Sequence, residues 1–157
     1  MLVRPSISGS HVPAAGLQVL VGERLAPPRR VLVADDDDEM RGLLASELRR
    51  DGYEVLEAAG GAEVAAILAE LRSRPDEAPE LIVSDICMPS QTGLELLAEL
   101  RKTELRVPVI LITAFGDRAV HEKARALGAI AVFNKPFDLD DLRTAILNFL
   151  PSLPAPH

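Results

Sequence analysis

The sequence is poor in cysteine, histidine and aromatic residues. Its 157 residues include one Cys, one Tyr, four Phe, three His and no Trp. The single cysteine, Cys87, excludes an internal disulfide and a zinc site built from several cysteines. The histidines, His11, His121 and His157, are too far apart in the sequence to suggest a metal cluster. No apolar stretch approaches the roughly 20 residues that a membrane-spanning helix needs.

Positive charge is also scarce. The chain has 17 Lys and Arg against 24 Asp and Glu, which gives a formal charge of −7. A protein that coats nucleic acid or an anionic membrane needs a basic surface, so we expect neither partner. The N-terminal residues lack the features of an export signal, and we therefore expect a cytoplasmic protein.

Proline marks the edges of the expected domain. Seven of the twelve prolines lie outside residues 29–150, and proline resists helix interiors and central strands. We therefore interpret 1–28 as a flexible leader, 29–150 as one domain with a substantial core, and 151–157 as a tail. Within the leader, Pro13–Leu25 has the apolar content of a short helix, which is one alternative to a loose segment.

Five short apolar segments alternate with segments of helical periodicity. The strand-like segments are Val31–Ala34, Tyr53–Leu56, Leu81–Val83, Val107–Ile112 and Ile130–Phe133. Each is followed by apolar residues three or four positions apart, which is typical of an amphipathic helix. This (βα)₅ alternation predicts an α/β fold with a doubly wound, flavodoxin-like parallel sheet and strand order 2-1-3-4-5.

Ligands of such sheets bind outside the carboxyl ends of the strands, near the point where the strand order reverses. The four predicted strands around that point are followed by polar side chains, which are Asp35 and Asp36, Asp85, Thr113, and Lys135. The second strand, predicted at the sheet edge, ends near Glu57 and offers no comparable group. We therefore expect one polar site formed by the other four strand ends.

The acidic residues of this expected site indicate a metal. Three converging carboxylates repel one another unless a cation lies between them, and a site with only oxygen ligands suits Mg²⁺. Carboxylates, a metal, a hydroxyl and a lysine are together the groups that phosphoryl transfer requires. Asp85 is the single acid on the central strand and is the best candidate nucleophile, while Asp35 and Asp36 would hold the ion.

The motifs around these residues carry a family resemblance. They are Val31-Leu32-Val33-Ala34-Asp35-Asp36 with Met40-Arg41, Ser84-Asp85-Ile86-Cys87-Met88-Pro89, Pro108-Val109-Ile110-Leu111-Ile112-Thr113-Ala114, and Asn134-Lys135-Pro136-Phe137. Over about residues 29–150 the sequence resembles the receiver domain of bacterial two-component response regulators. Because few residues follow Leu150, we expect the single-domain type, a signalling protein rather than an enzyme.

The resemblance implies a role for each polar residue. Asp85 would accept a phosphoryl group from a histidine kinase or a phosphotransfer protein. Asp36, Asp85 and the backbone carbonyl of Cys87 would bind Mg²⁺, with Asp35 close by or bound through water. Thr113 would move toward the phosphoryl group and Lys135 would pair with it.

The resemblance also implies an output surface. Pro136 would follow a peptide bond that is often cis in the family. Movement of Thr113 would reshape the face formed by the fourth helix, the fifth strand and the fifth helix. An unknown target protein or a second copy of the chain would dock on that face.

The sequence departs from the family at two points. The position three residues before Lys135 usually holds an aromatic switch residue and here is Val132; strand alternation points the neighbouring Phe133 to the opposite face. The residues two beyond Asp85 and Thr113, which in the family influence attack by water on the acyl phosphate, are Cys87 and Phe115. We hypothesise that Phe115 shields the acyl phosphate and slows self-dephosphorylation.

Other interpretations remain open. Taken one at a time, the acids after the first strand are compatible with a solvated helix start, and the other polar residues with ordinary turns. A phosphorylation-independent interaction module is the main alternative function, which Val132 favours. A haloacid-dehalogenase-type phosphatase is disfavoured. Its DxDx(T/V) motif would require Thr or Val after Asp37-Asp38, and Glu39 stands there instead.

Overall fold

The computed structural model describes residues 19–21, 24–103 and 106–151. A small antiparallel hairpin comes first, in which β1 (Val19–Val21) pairs with β2 (Arg24–Ala26). The helix considered for Pro13–Leu25 is therefore wrong where that segment is described, and the rest of the segment lies outside the described residues. The flexible leader and the boundaries of the domain stay predictions.

A five-stranded sheet forms the centre of the molecule. Its strands are β3 (Arg30–Ala34), β4 (Glu54–Ala58), β5 (Leu81–Asp85), β6 (Val109–Thr113) and β7 (Ala131–Asn134). The strand order is β4-β3-β5-β6-β7, and every neighbouring pair is parallel. The predicted order 2-1-3-4-5 and the doubly wound α/β fold are confirmed.

Five helices connect or follow these strands. They are α1 (Asp38–Arg50), α2 (Gly61–Leu71), α3 (Gly93–Arg101), α4 (Arg118–Ala126) and α5 (Leu139–Phe149), with a 3-10 turn at Pro75–Glu77. Asp37, Asp117 and Asp138 cap α1, α4 and α5 by accepting backbone N–H groups. Such caps satisfy donors that a helix start leaves unpaired, so these helices begin sharply after the strand ends.

Strand alternation divides the apolar side chains between two cores. One core lies against α2, α3 and α4 and contains Leu32 and Leu97; the other lies against α1 and α5 and contains Val33 and Leu48. β3, β5 and β6 are almost wholly buried because helices cover both faces of the sheet. Among the described residues, no helix is long and apolar enough to cross a membrane.

Candidate functional site

Three carboxylates meet at the carboxyl ends of β3 and β5. Asp85 is the last residue of β5, and Asp35 and Asp36 directly follow β3. One carboxylate oxygen from each of the three residues lies within 4.8 Å of the other two. Asp35 and Asp85 are buried, whereas Asp36 is exposed at the rim. Two neighbouring parallel strands thus bring residues 50 positions apart into one acidic cluster, as the strand-end pattern predicts.

Asp35 has one carboxylate oxygen that is satisfied and one that is not. Its Oδ1 accepts the N–H of Asp37 at 2.9 Å, while its Oδ2 is buried without a hydrogen-bond partner. Burial raises the pKa of Asp35, the Asp37 N–H lowers it, and the negative charge of Asp85 raises it further. A buried carboxylate oxygen that accepts no hydrogen bond and lies beside two other acids suits a hard cation with oxygen ligands, so this donor set fits Mg²⁺.

Lys135 contacts the acidic cluster from the end of β7. Its Nζ donates to Asp85 Oδ2 at 3.0 Å and lies 3.7 Å from Asp35 Oδ2. Burial acts to lower the pKa of Lys135, but the hydrogen bond and the charges of Asp85 and Asp35 outweigh it and raise the pKa. The ammonium therefore stays protonated and supplies fixed positive charge next to Asp85.

Thr113 ends β6, the strand beside the one that carries Asp85. It is buried, and its Oγ1 accepts the N–H of Phe115 at 3.1 Å. Its backbone carbonyl accepts the N–H of Lys135 at 2.7 Å, which joins the ends of β6 and β7. The hydroxyl thus lies at the same edge of the sheet as the acids, but it accepts its hydrogen bond from the loop that follows β6.

The remaining expected residues lie around this centre. The Cys87 N–H donates to Asp85 Oδ1 at 3.1 Å, and the Cys87 side chain is exposed. Phe115 is 77% exposed. The peptide bond between Lys135 and Pro136 is cis, as the resemblance implies. Val132 packs against the α2–α4 core and Phe133 against the opposite one, so the two side chains do point to opposite faces.

Four residues at the site received no role from the sequence. Arg41 donates to the Asp35 carbonyl at 2.9 Å and pairs with Glu57, the last residue but one of β4. His121 Nε2 lies 2.8 Å from Asn134 Oδ1, beside the loop that follows Thr113. Arg41 and Asn134 belong to the motifs that carry the family resemblance, but no sequence pattern predicts the contact of Arg41 with Glu57 or of Asn134 with His121.

An apolar cavity of about 370 Å³ lies beside Lys135. It is lined by Met40 and Leu43 of α1 together with Lys135, Pro136, Phe137 and Leu139. Leu43 is half exposed. A partner protein that reached Asp85 would therefore meet an apolar surface next to a charged site.

Comparisons with known proteins agree with this fold. The chain is 40% identical over 121 residues to the transcriptional regulatory protein PdtaR of Mycobacterium tuberculosis, covering 77% of this chain but 56% of that protein. It is 31% identical over 122 residues to sporulation initiation phosphotransferase F of Bacillus subtilis, covering 78% of this chain and 94% of that one. The chain thus spans little more than half of the first relative and nearly all of the second.

Solved structures show the same architecture. The chemotaxis protein CheY4 of Vibrio cholerae is similar with a TM-score of 0.68 and 28% identity, covering 78% of this chain and 98% of that one. A response regulator receiver domain protein from Clostridium thermocellum is similar with a TM-score of 0.69 and 30% identity, covering 78% and 94%. The sequence model of the response regulator receiver domain matches residues 31–147. The chain therefore belongs to the response regulator receiver domain family.

Proposed function

We propose that the protein accepts a phosphoryl group on Asp85 in a Mg²⁺-dependent reaction and passes the signal on through a protein-docking face. The observation that carries this proposal is the contact between Lys135 Nζ and Asp85 Oδ2 inside a cluster of three carboxylates. A lysine and an acid cluster around one buried carboxylate are suited to phosphoryl transfer, which depends on positioning and on charge neutralisation.

The reaction transfers the phosphoryl group from nitrogen to oxygen. A carboxylate oxygen of Asp85 attacks the phosphorus of a phosphohistidine, the P–N bond breaks, and its electron pair stays on the imidazole nitrogen. The product is an acyl phosphate on Asp85. Asp35, Asp36, Asp85 and the Cys87 carbonyl would hold Mg²⁺, which when bound would neutralise negative charge on the phosphoryl oxygens.

The chain's own residues orient the nucleophile. The Cys87 N–H and the Lys135 ammonium each hold one oxygen of Asp85, so the carboxylate plane is fixed before a donor arrives. Lys135 then pairs with the transferred group, and Thr113 donates its hydroxyl to it after turning away from the Phe115 N–H.

A histidine kinase or a phosphotransfer protein is the proposed donor. The apolar cavity beside Lys135 offers it a binding surface within reach of Asp85. The proposed output face is formed by α4, β7 and α5 and takes an unknown target or a second copy of the chain. We propose a cytoplasmic location for this activity.

Mass spectrometry of the intact protein after incubation with acetyl phosphate and Mg²⁺ tests the proposal. We expect a mass gain of one phosphoryl group, absent with EDTA and absent in Asp85→Asn, which keeps the size and hydrogen-bonding oxygen of the side chain. Equal labelling of Asp85→Asn and wild type would contradict the assignment of Asp85. No labelling of the wild type by acetyl phosphate or by a phosphorylated donor protein would favour the phosphorylation-independent module, to which Val132 points.

A further inference from the structure

We infer that Arg41 is a positioning residue for the Mg²⁺ site and that it acts through the backbone of Asp35. This inference rests on the proposed function. Arg41 lies in the first turns of α1, its side chain is only 17% exposed, and it contacts the Asp35 carbonyl rather than the carboxylate. Its role in metal binding would therefore be indirect.

The peptide groups on both sides of Asp35 are fixed by hydrogen bonds. The Asp35 N–H donates to the Ala58 carbonyl at 3.1 Å, and the Asp35 carbonyl accepts from Arg41 Nη1 at 2.9 Å. The carboxylate is fixed in turn, because Oδ1 accepts the Asp37 N–H. Together these bonds aim Oδ2, which accepts no hydrogen bond, into the acidic cluster.

The same contact also orients Asp36. The Asp35 carbonyl and the Asp36 nitrogen belong to one planar peptide group, so a guanidinium that holds the carbonyl also restricts where the Asp36 side chain begins. Asp36 is exposed, and among the described residues no hydrogen bond or ion pair holds its carboxylate. Its place near Asp35 and Asp85 therefore depends on the backbone.

Arg41 is itself held rigidly. Its Nη2 donates to Asp38 Oδ1 at 2.7 Å, and its Nε lies 3.4 Å from Glu57 Oε1 at the end of β4. Glu57 also accepts from Arg49 Nη2 at 3.1 Å. The planar guanidinium makes these contacts and the bond to Asp35 at once, which the single ammonium of a lysine would not do with the same geometry.

If Arg41 had only a structural role, it would hold α1 against β4 without changing the affinity of the site for Mg²⁺. The two roles differ in metal affinity, because hydrogen-bond partners behind the ligands of a metal site change affinity by about 10- to 100-fold when removed. The affinity of the unphosphorylated protein for Mg²⁺ therefore separates them, and this measurement does not depend on phosphoryl transfer.

The experiment compares three variants of the full chain with the wild type. Arg41→Met keeps the apolar stem and removes every donor, Arg41→Lys keeps the charge, and Arg49→Met is the matched control, since Arg49 also lies on α1 and pairs with Glu57. Mg²⁺ alone is titrated while the backbone amide resonances of residues 35–37 and 85–87 are followed by NMR. We expect Kd to rise about tenfold in Arg41→Met, by less in Arg41→Lys, and not at all in Arg49→Met.

The outcomes separate this inference from the proposed function. A wild-type Kd in any folded Arg41 variant would overturn the positioning role; if Arg41→Met does not fold, Arg41→Lys decides by the same criterion. An equal rise in Arg49→Met would also overturn it, because the effect would then come from the tie between α1 and Glu57. Failure of the wild type to bind Mg²⁺ or to accept a phosphoryl group would contradict the proposed function itself.

Discussion

The helices α1 and α4 both begin within five residues of a site residue, α1 after Asp36 and α4 after Thr113, yet they are held very differently. α1 buries Leu44, Ala45 and Leu48, and Asp51 at its end forms a two-pronged ion pair with Arg143 of α5, at 2.6 and 2.8 Å. α4 buries only one residue of its own, Ala124. The connection that carries Asp35 and Asp36 is therefore anchored more firmly than the one that follows Thr113.

This difference matches what a switch needs. A metal site requires ligands that stay in place, whereas a response to phosphorylation requires an element that can shift at low cost. β7, which α4 packs against, is half-buried along most of its length, while β3 is almost wholly buried. The side of the sheet with α4 and β7 therefore loses less buried area when it moves.

The largest expected contrast is in core stability. Leu48→Ala in α1 empties a fully enclosed site and should lower the free energy of unfolding by about 2–5 kcal/mol. Val120→Ala in α4 removes a half-buried side chain and should cost about 1 kcal/mol. Urea unfolding followed by far-UV circular dichroism measures both. Equal losses would show that α4 is held as firmly as α1.

A second contrast uses two glycines. A Cβ on Gly93, the first residue of α3, would lie 2.6 Å from the Asp85 carbonyl oxygen and 3.0 Å from Ile86 Cα, and backbone atoms cannot move aside cheaply. Gly93→Ala should therefore destabilise the protein by about 1–3 kcal/mol and disturb the strand end that carries Asp85.

The matched control is Gly42→Ala in α1. A Cβ there meets nothing within 4 Å, and alanine is the better helix former, so the substitution should stabilise the protein by about 1 kcal/mol. The same urea titration compares the two variants. A neutral Gly93→Ala would contradict the close packing of α3 against the end of β5.

The fold was predictable because its signals are local. Strands covered on both faces are continuous apolar runs, so their order along the chain and the doubly wound sheet follow from the pattern. The ends of the strands were predicted less accurately. The apolar run Val107–Ile112 was the predicted strand, whereas β6 spans Val109–Thr113. The segment around β1 and β2 was misjudged because three-residue strands are too short to show a period.

The site was predictable only in part. Asp35, Asp36, Asp85 and Lys135 each adjoin a strand end, and the topology alone brings strand ends together. Glu57 received no role, because its contact with Arg41 joins the edge strand to α1 across 16 residues and leaves no periodic signal. Sequence spacing also does not encode side-chain packing, which buries Asp35 with one oxygen that accepts no hydrogen bond and leaves Asp36 exposed.

Ionisation of Tyr53 should have a smaller effect, which is a loss of stability at high pH. Its hydroxyl donates to the Leu150 carbonyl and so ties the chain after α1 to the end of α5. Burial chiefly, with the nearby charge of Asp51, raises the pKa of Tyr53 from its ordinary value of 10.0 to about 12. Because the native state disfavours the ionised phenol, this stabilisation is complete below pH 10 and is lost as the pH rises through about 12.

Ultraviolet absorbance of tyrosinate follows Tyr53 alone, since the chain has one tyrosine and no tryptophan. The midpoint should lie near pH 12 in the folded protein and near pH 10 in urea. Tyr53→Phe should lose about 1 kcal/mol of stability below pH 10. Coincident midpoints in both states would show that the Tyr53 hydroxyl is not buried in solution.

The smallest predicted effect concerns Phe115, in the loop that joins β6 to α4. Its N–H donates to the Thr113 hydroxyl, so the proposed movement of Thr113 toward a phosphoryl group on Asp85 would break that bond and free the loop that carries the ring. A ring that then covers the acyl phosphate slows attack by water. Phe115→Ala should speed the decay of phosphorylated protein about threefold, which corresponds to ~0.7 kcal/mol in the barrier. Phe115→Leu, which keeps an apolar cover, should decay at a rate close to wild type; an unchanged rate in Phe115→Ala would remove shielding as an explanation.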